Sequence, residues 1–321
     1  MDFLKISKAI ELLRDGEVVA IPTETVYGLA GNALNEKAVA KIFSIKNRPS
    51  FDPLIVHTDS IEKVKSFVTE FPPFAQKLAE RFWAGALTLL LPKKSIIPDL
   101  VTSALPNVAV RIPNHPLTLE LLSKIDFPLA APSANPFGYI SPTNASHVQK
   151  SLGDKIPLIL DGGDCQIGIE STIVGFPEGK PTIFRKGGIS VEAIEEVIGK
   201  VTVVEHSSSR PEAPGMLQRH YAPKAKMILG NIDEMLAKYN SPHTVVLSFQ
   251  KKHKKISENQ QFILSEKGDF TEAAQNLFRV LRMIDEKNPK IILAELLPEM
   301  GLGRAINDRL KRGAVIEAFS D

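Results

Sequence analysis

Two cationic side chains, Lys46 and Arg48, stand two residues apart where a predicted helix ends. Apolar residues at helical spacing begin this helix at Asn35 or Glu36. A guanidinium fork beside an ammonium group suits a polyphosphate better than a protein core. The pair alone favours a solvated helix end, where cations complement the helix dipole. The prolines of the following segment, RPSFDP, fix the backbone beside a predicted strand, and this context shifts the balance towards a ligand site.

Hydroxyl and amide side chains cluster on a second segment, APSANPFGYISPTN. Ser133 and Asn135 follow a predicted strand, and the flanking prolines restrict the loop around them. Such groups on a rigid loop can hold phosphate or ribose oxygens. Because Ser, Asn and Pro also dominate ordinary turns, the residues alone leave the two interpretations equal. Ser141 continues the loop, and helix capping is its first interpretation.

Further polar residues lie at predicted strand ends. Ser171 begins the strand of the segment IESTIV and Arg185 ends a later one, and strand propensity explains neither. Asp161 and Asp164 of the turn DGGD have the oxygen ligands that Mg²⁺ prefers, but turn usage explains them better, so we assign no metal ligand. The sequence contains no G-x-S-x-G, Walker A or H-E-x-x-H motif, which disfavours a serine hydrolase, a P-loop NTPase and a zinc protease.

The composition is that of an ordinary globular protein. Of 321 residues, 43% are hydrophobic and 24% charged, and no apolar run approaches the roughly 18 residues that span a bilayer. The N-terminal segment lacks the features of a signal peptide, so we expect a cytoplasmic protein without a membrane role. A net charge of +2 gives little support for a polyanionic partner. The single cysteine, Cys165, excludes a disulfide framework and is predicted to be a small buried residue.

Helices and strands alternate through the first part of the chain, which predicts an α/β domain with a twisted mixed sheet. The predicted helices cover residues 6–14, a segment from residue 35 or 36, a segment from residue 60, residues 74–82 and residues 191–198. The predicted strands are VVAI, PLIVH, LTLLLPK, VAVRIP, PLAAPSAN, PLILDGG, ESTIVGF and PTIFRKG. Gly-rich or Pro-containing turns separate the last three, which predicts antiparallel pairing among them.

A segment without apolar periodicity, residues 205–223, predicts a linker. Large side chains such as Met216 and Tyr221 indicate that this linker docks rather than acts as a pure spacer. The strands KMILG, TVVLSF and KIILAEL alternate with two predicted helices in the remainder, which predicts a small parallel βαβαβ sheet. The insert KKHKK is predicted to be a solvated loop rather than an RNA-binding patch.

Three groups of segments together resemble the YrdC-type threonylcarbamoyl-AMP synthases in order and spacing. They are PTETVYGL with KNRP and PLIVH, then APSAN with SPT, then GIESTIV with FRKG. The segments PGMLQRHYAPK and LGRAINDRLKRGA resemble the linker and the end of the extra domain in the longer subgroup, so the resemblance covers nearly the whole chain. It implies a YrdC-like domain at 1–204, an ordered linker or lid at 205–224 and a Rossmann-like βαβ domain at 225–321.

The resemblance also implies an activity and its partners. The family condenses L-threonine, bicarbonate and ATP, with Mg²⁺ accompanying ATP, into threonylcarbamoyl-AMP and pyrophosphate. The product serves the threonylcarbamoyladenosine modification of tRNA through a separate threonylcarbamoyl transferase complex. A direct contact with tRNA stays open.

Roles for individual residues follow from the same resemblance. The implied catalytic residues are Lys46 and Arg48. The implied ATP contacts are Lys46, Arg48, Ser133, Asn135, Ser141, Arg185, His220 and Tyr221, the last two as a lid over the substrates. The implied threonine pocket is Thr23, Thr25, Tyr27, His57, Arg111 and Ser171. Asn47 and Asp52 stand where many members have Gly and Asn, and the extra charge of Asp52 puts the ATP affinity in doubt or favours a bound metal.

Two other functions compete with this one. A module that binds structured RNA would show an affinity that falls with salt, and no ATP turnover. A carbamoyl-transfer domain of the hydrogenase-maturation kind shares the YrdC-like core, but a single cysteine excludes the zinc finger that accompanies it.

Overall fold

The computed structural model describes residues 3–204, 211, 213–217 and 220–315, which divide into two compact units. The N-terminal unit comprises Met1–Phe137 and Ser141–Gln218, and the C-terminal unit comprises Gly138–Ile140 and Arg219–Asp321. The division between units thus falls within the predicted linker. The predicted linker residues 205–210, 212, 218 and 219 lie outside the described residues.

The described strands of the N-terminal unit form one mixed sheet, as the sequence predicted. They are β1 (Val19–Ile21), β2 (Gly28–Asn32), β3 (Ile55–His57), β4 (Leu87–Pro92), β5 (Asn107–Arg111), β6 (Leu129–Ala130), β7 (Thr172–Gly175), β8 (Thr182–Arg185) and β9 (Thr202–Val203). Their order across the sheet is β1-β2-β6-β3-β5-β4-β7-β8-β9. The pairs β3/β5, β4/β7 and β8/β9 are parallel and the other neighbours are antiparallel.

Helices connect these strands and cover the sheet. They are α1 (Phe3–Arg14), α2 (Glu36–Lys46), α3 (Ile61–Phe67), α4 (Pro73–Phe82), α5 (Asp99–Thr102), α6 (Pro116–Ser123), α7 (Ala145–Leu152) and α8 (Val191–Ile198). Polar side chains cap several of them where the sequence predicted a start. Ser60 accepts a hydrogen bond from Lys63 N, and Ser190 accepts one from Ala193 N.

Alternation along the strands separates two cores on opposite faces of the sheet. In and beside β1, Val18 and Ala20 join a core with α2, α4 and α8, while Val19 and Ile21 join another with α1 and α6. A third cluster combines residues of β3, β4, β5, β7 and β8 with Ala213 and Met216. Met216 is 1% exposed, so this part of the linker docks, as predicted.

The C-terminal unit contains a parallel sheet of the predicted kind. Its described strands are β10 (Lys226–Leu229), β11 (Thr244–Ser248), β12 (Gln261–Ile263) and β13 (Ile291–Ala294), in the order β10-β13-β11-β12. All neighbouring strands are parallel. The described helices are α9 (Ile232–Tyr239), α10 (Phe270–Glu286) and α11 (Gly303–Gly313). Within the described part of the whole chain, no helix is long and apolar enough to cross a membrane.

Several local predictions were wrong or incomplete. The segment PLILDGG is not an antiparallel strand but makes one parallel bridge, between Ile159 and Ala20. The strand predicted for PLAAPSAN is limited to β6, because prolines lack the N–H that continues a ladder. The sequence also missed β2, β9, α5, α6, β12 and α11; β2 has the segment GLAGN, whose two glycines disfavour a strand.

Candidate active site

Lys46 ends α2 and is buried beneath the loop of Ser133 and Asn135. Its Nζ lies 2.5 Å from both Ser133 O and Asn135 O, and the residue is 1% exposed. Burial, and after it the charge of Arg48, lowers the pKa of Lys46 well below its ordinary value. The structure therefore brings the predicted cation and the predicted hydroxyl-amide loop together, and Lys46 organises that loop.

Arg48 forms an ion pair that the sequence did not predict. Its Nη2 lies 2.9 Å from Asp52 Oδ2, and the two side chains are 5% and 0% exposed. Arg48 also donates to Asp52 O at 3.0 Å and to Pro53 O at 2.8 Å. Asp52 Oδ1 accepts a hydrogen bond from Gly215 N at 3.4 Å. Asp52 thus neutralises the charge of Arg48, a residue predicted to bind phosphate. Its other carboxylate oxygen connects this pair to Gly215 of the linker.

The residue between the two cations, Asn47, caps α2 in the left-handed region, with φ of +51°. Glycine is the usual residue there and asparagine is the best-tolerated substitute. Asparagine at position 47 is therefore compatible with the left-handed backbone between Lys46 and Arg48.

Thr23 and Thr25 share a hydrogen bond in a buried turn. Their hydroxyl oxygens lie 2.8 Å apart, and Thr23 donates its proton to Val26 O at 2.7 Å. Because a hydroxyl has one proton, Thr25 must donate to Thr23. Tyr27, in the same segment, donates to Gly163 O at 2.8 Å and supports the DGGD turn.

Backbone pairing joins this turn to the loop above Lys46. Ala134 N donates to Tyr27 O at 2.8 Å, and Tyr27 N donates to Pro142 O at 2.9 Å. The PTETVY segment and the SAN-to-SPT loop therefore line one continuous region of the N-terminal unit.

Arg111 ends β5 and pairs with Glu24, a residue that sequence reasoning missed. Their Nη2 and Oε1 atoms lie 2.6 Å apart, with side chains 4% and 5% exposed. Glu24 Oε2 accepts a hydrogen bond from Asn114 N at 2.9 Å. His57 lies opposite Arg111 in the parallel β3/β5 pair. Burial, and after it the charge of Arg111, lowers the pKa of His57 from 6.5 to about 3.

We expect the free energy of unfolding to fall as the pH drops from 6.5 towards 3, and His57→Gln to make that fall shallower. The unfolded chain protonates His57 below its ordinary pKa while the folded chain keeps it neutral, so this contribution is present above pH 6.5 and lost in that window. Across that window the contribution of His57 to the free energy of unfolding changes by at most about 1.4 kcal/mol per pH unit. Urea unfolding of both proteins between pH 7 and pH 4 measures the difference, and parallel curves would contradict it.

Arg185 and Ser171 lie together at the ends of β8 and β7. Arg185 donates to Ser171 O and to Ser171 Oγ, both at 3.0 Å, and to Pro214 O of the linker at 3.2 Å. The hydroxyls of Ser171 and Thr88 lie 2.7 Å apart. These contacts place a predicted ATP residue beside a predicted threonine residue and hold the linker against both.

Ser141 donates to Glu170 Oε1 at 2.5 Å, and Glu170 is the second acidic residue that sequence reasoning missed. Both acids were overlooked because each stands next to a hydroxyl residue that drew the interpretation, in the segments PTET and IEST. The sequence signal for Glu24 and Glu170 was a charged residue inside an otherwise buried stretch, because a buried charge needs a partner.

His220 and Tyr221 lie in the C-terminal unit. Tyr221 is 1% exposed and stacks on Phe278, with 5.5 Å between ring centroids. The guanidinium carbons of Arg309 and Arg312 lie 5.1 Å and 4.7 Å from the Tyr221 centroid. The His220 ring meets Tyr221 edge-on at 4.2 Å. The helix of the segment LGRAINDRLKRG thus holds the predicted lid residues.

The carboxylates of the described residues do not form a dedicated metal cage. No cluster of three or more His, Cys, Asp or Glu able to hold a metal occurs among them. Asp161 accepts from Gly163 N at 3.0 Å and Asp164 accepts from the Asn144 amide at 3.0 Å, so both serve the turn. Asp52 and Glu24 are paired with arginines.

Two family models match the chain in succession. The model described as telomere recombination matches residues 11–187, and the model described as the C-terminal domain of threonylcarbamoyl-AMP synthase matches residues 189–315.

Similar proteins and a similar structure agree with both matches. The threonylcarbamoyl-AMP synthase of Pyrococcus abyssi is 41% identical over 97% of this chain and 94% of its own length. That of Bacillus subtilis is 40% identical over 97% and 93%. The crystal structure of P. abyssi Sua5 complexed with L-threonine has a TM-score of 0.91 and 41% identity, covering 97% of this chain and 94% of that one. The chain therefore belongs to the threonylcarbamoyl-AMP synthase family, in the form that has an additional C-terminal domain.

Proposed function

We propose that this chain condenses L-threonine, bicarbonate and ATP into threonylcarbamoyl-AMP and releases pyrophosphate. The observation that carries the proposal is the contact of Lys46 Nζ with Ser133 O and Asn135 O, which joins this cation to the hydroxyl-amide loop. Cations, hydroxyls and amides position phosphates and neutralise their charge. Such positioning suits a reaction in which the bound substrates react with one another.

The reaction has two bond-forming steps. The ammonium group of threonine first loses a proton to solvent, and the neutral amine then attacks the carbon of bicarbonate, with loss of water, to give a carbamate. A carbamate oxygen then bonds to the α-phosphorus of ATP while the bond from that phosphorus to the bridging oxygen breaks, which releases pyrophosphate. Positioning and charge stabilisation carry most of the catalysis in transfers of this kind.

The pocket proposed for threonine comprises Thr23, Thr25, Tyr27, His57, Arg111 and Ser171. A free amino acid carries one positive and one negative group, and the buried Arg111–Glu24 pair offers a partner for each. Neutral His57 adds no further positive charge beside Arg111. These contacts support binding of a zwitterion.

The proposed ATP contacts are Lys46, Arg48, Ser133, Asn135, Ser141, Arg185, His220 and Tyr221. Magnesium is proposed to arrive as the ATP complex, held by the phosphates. We further propose that residues 205–224 link a catalytic domain, 1–204, to a C-terminal domain, 225–321. His220 and Tyr221 would close over the substrates and exclude water from the labile product.

The product is proposed to serve the modification of tRNA in the cytoplasm, through a separate threonylcarbamoyl transferase complex. An acyl phosphate hydrolyses readily, so a consuming enzyme must act on it soon after release.

Pyrophosphate release tests the proposed function directly. With purified chain, we expect release only when ATP, Mg²⁺, bicarbonate and L-threonine are all present, with labelled threonine appearing in the adenylate. Equal release without threonine would overturn the proposal. Salt-sensitive RNA binding without any pyrophosphate would instead support the alternative, a module that binds structured RNA.

A further inference from the structure

A buried threonine of β4 contacts a residue of the proposed threonine pocket. Thr88 is 0% exposed within the otherwise apolar strand LTLLLP. Its Oγ1 lies 2.7 Å from Ser171 Oγ, and both residues belong to the N-terminal unit. A buried hydroxyl costs free energy unless it forms hydrogen bonds. Threonine is a common strand residue, so sequence reasoning did not single out Thr88.

The alternation of β4 sets the direction of the Thr88 side chain. Leu87 and Leu89 pack in the core that includes α2, α4 and α8. Thr88 therefore points to the opposite face of the sheet, where Leu90 packs with Met216 of the linker. This is the face on which Ser171 meets Thr88 across the parallel β4/β7 pair.

Arg185 fixes Ser171 from the neighbouring strand. Its Nη2 donates to Ser171 Oγ at 3.0 Å, and its Nε donates to Ser171 O at 3.0 Å. A guanidinium group has no lone pair that could accept a hydrogen bond. Ser171 Oγ is therefore an acceptor towards Arg185, and the proton of Ser171 must point elsewhere.

The hydroxyl pair has one more proton than its shared bond can use. Ser171 and Thr88 carry one proton each, and a single hydrogen bond joins them. Among the residues that the structure describes, the contact with Arg185 is the only other hydrogen bond of either hydroxyl. Both residues are 0% exposed, so bulk water does not reach the remaining proton. A buried proton of this kind indicates an acceptor on a ligand.

The charge of Arg185 favours Ser171 as the hydroxyl that offers this proton. A donor that is itself bonded to a cation is polarised and becomes a stronger donor. Thr88 then donates to Ser171, and Thr88 and Arg185 together occupy both lone pairs of Ser171 Oγ. The carboxylate of L-threonine is the strongest acceptor of that substrate.

We propose that Thr88 is a positioning residue for L-threonine: its hydroxyl donates to Ser171 and thereby directs the Ser171 proton to the carboxylate of the substrate. This inference rests on the proposed function, which places Ser171 in the threonine pocket. The hydrogen bonds that carry it join Thr88, Ser171 and Arg185, all within the N-terminal unit.

The test is a double-mutant cycle in the full chain. Thr88→Val removes the hydroxyl at nearly constant shape, Ser171→Ala removes the group through which Thr88 acts, and Thr88→Ser keeps a hydroxyl. The matched control is Thr244→Val, because Thr244 of β11 is also 0% exposed and its hydroxyl lies 2.9 Å from Ser241 Oγ. The readouts are the Kd of L-threonine by calorimetry, KM for threonine, KM for ATP, and Tm.

We expect Thr88→Val to raise the Kd and KM for threonine about fivefold, as the loss of one neutral hydrogen bond predicts, while KM for ATP stays within about twofold. The double variant should bind threonine as Ser171→Ala does, because Thr88 acts through Ser171. Thr88→Ser and Thr244→Val should both keep the threonine affinity of the unmodified chain.

Two results would overturn the inference. One is an unchanged threonine affinity in folded Thr88→Val. The other is a further weakening by Thr88→Val in the Ser171→Ala background, which would show that Thr88 acts on threonine independently of Ser171. If Thr88→Val does not fold, Thr88→Ala takes its place in the cycle and the same two results decide.

Failure of the proposed function would look different. The unmodified chain would then release no pyrophosphate, whatever the variants do. Binding of L-threonine by the unmodified chain, with the expected non-additive Kd values in the cycle, would still support the role of Thr88. Absence of L-threonine binding by the unmodified chain would overturn it.

Discussion

Arg48→Ala is expected to abolish synthesis and to destabilise the fold, and adding Asp52→Asn is expected to restore the stability alone. The ion pair is buried, with 2.9 Å between Nη2 and Oδ2 and side chains 5% and 0% exposed. Removing one partner leaves an uncompensated buried charge, which costs about 3–5 kcal/mol. The isosteric amide at position 52 removes that charge. The missing guanidinium should still lower turnover about 10³-fold, because nothing replaces the transition-state role proposed for Arg48.

Two measurements separate these effects. Urea unfolding gives the free energy of each variant, and pyrophosphate release gives turnover at saturating substrates. Lys124→Ala is the matched control, because Lys124 and Glu120 form an i,i+4 pair at 2.7 Å with side chains 45% and 17% exposed. An exposed pair of this kind contributes about 1 kcal/mol or less.

The double variant decides what the charge of Asp52 does. Recovered turnover in Arg48→Ala with Asp52→Asn would show that repulsion by an unpaired Asp52 caused the loss, and Arg48 would leave the catalytic assignment. Full turnover in Arg48→Ala alone would likewise show that Arg48 is not a catalytic residue. The sequence-based concern that Asp52 weakens ATP binding predicts that Asp52→Asn alone lowers KM for ATP.

Local chemistry made much of the fold and site predictable. Helix α2 illustrates this, because its apolar spacing and its start at Asn35 or Glu36 are local features of the sequence. The same holds for His57 and Arg111, which end strands whose apolar runs identify them. The parallel pairing that puts both at the same end of neighbouring strands was not predicted, because a mixed sheet leaves the direction of each pair open.

Partners far apart in sequence could not be predicted in the same way. Asp52 meets Gly215 across 163 positions, and Tyr139 meets Asp285 across 146. No periodicity or turn signal encodes such pairs, because tertiary packing decides them. Strand β2 is a related case: its segment GLAGN has weak strand propensity, and pairing with β1 and β6 on either side imposes the conformation.

Lys46→Met is expected to lower kcat/KM for ATP at least about 100-fold, chiefly through a higher KM for ATP. Methionine has similar length but no donor, so Ser133 O and Asn135 O lose a buried partner, at about 1–3 kcal/mol for each unsatisfied group. The loop would then move away from the nucleotide. Lys41→Met is the control on the same helix, since Lys41 pairs with Glu17 at 2.7 Å and both side chains are 41% exposed.

Proton uptake distinguishes a cation that meets phosphate from one that only supports the loop. Burial and Arg48 lower the pKa of Lys46 in the free chain, and a bound phosphate would favour the protonated amine and raise that pKa again. ATP binding should therefore take up protons at pH values between the pKa of Lys46 in the free chain and its higher pKa in the complex. The affinity for ATP should strengthen as the pH falls through that interval. Calorimetry in two buffers of different ionisation enthalpy measures the uptake. Equal uptake by Lys46→Met would show that another group binds the proton, and Lys46 would keep only its role in ordering the loop.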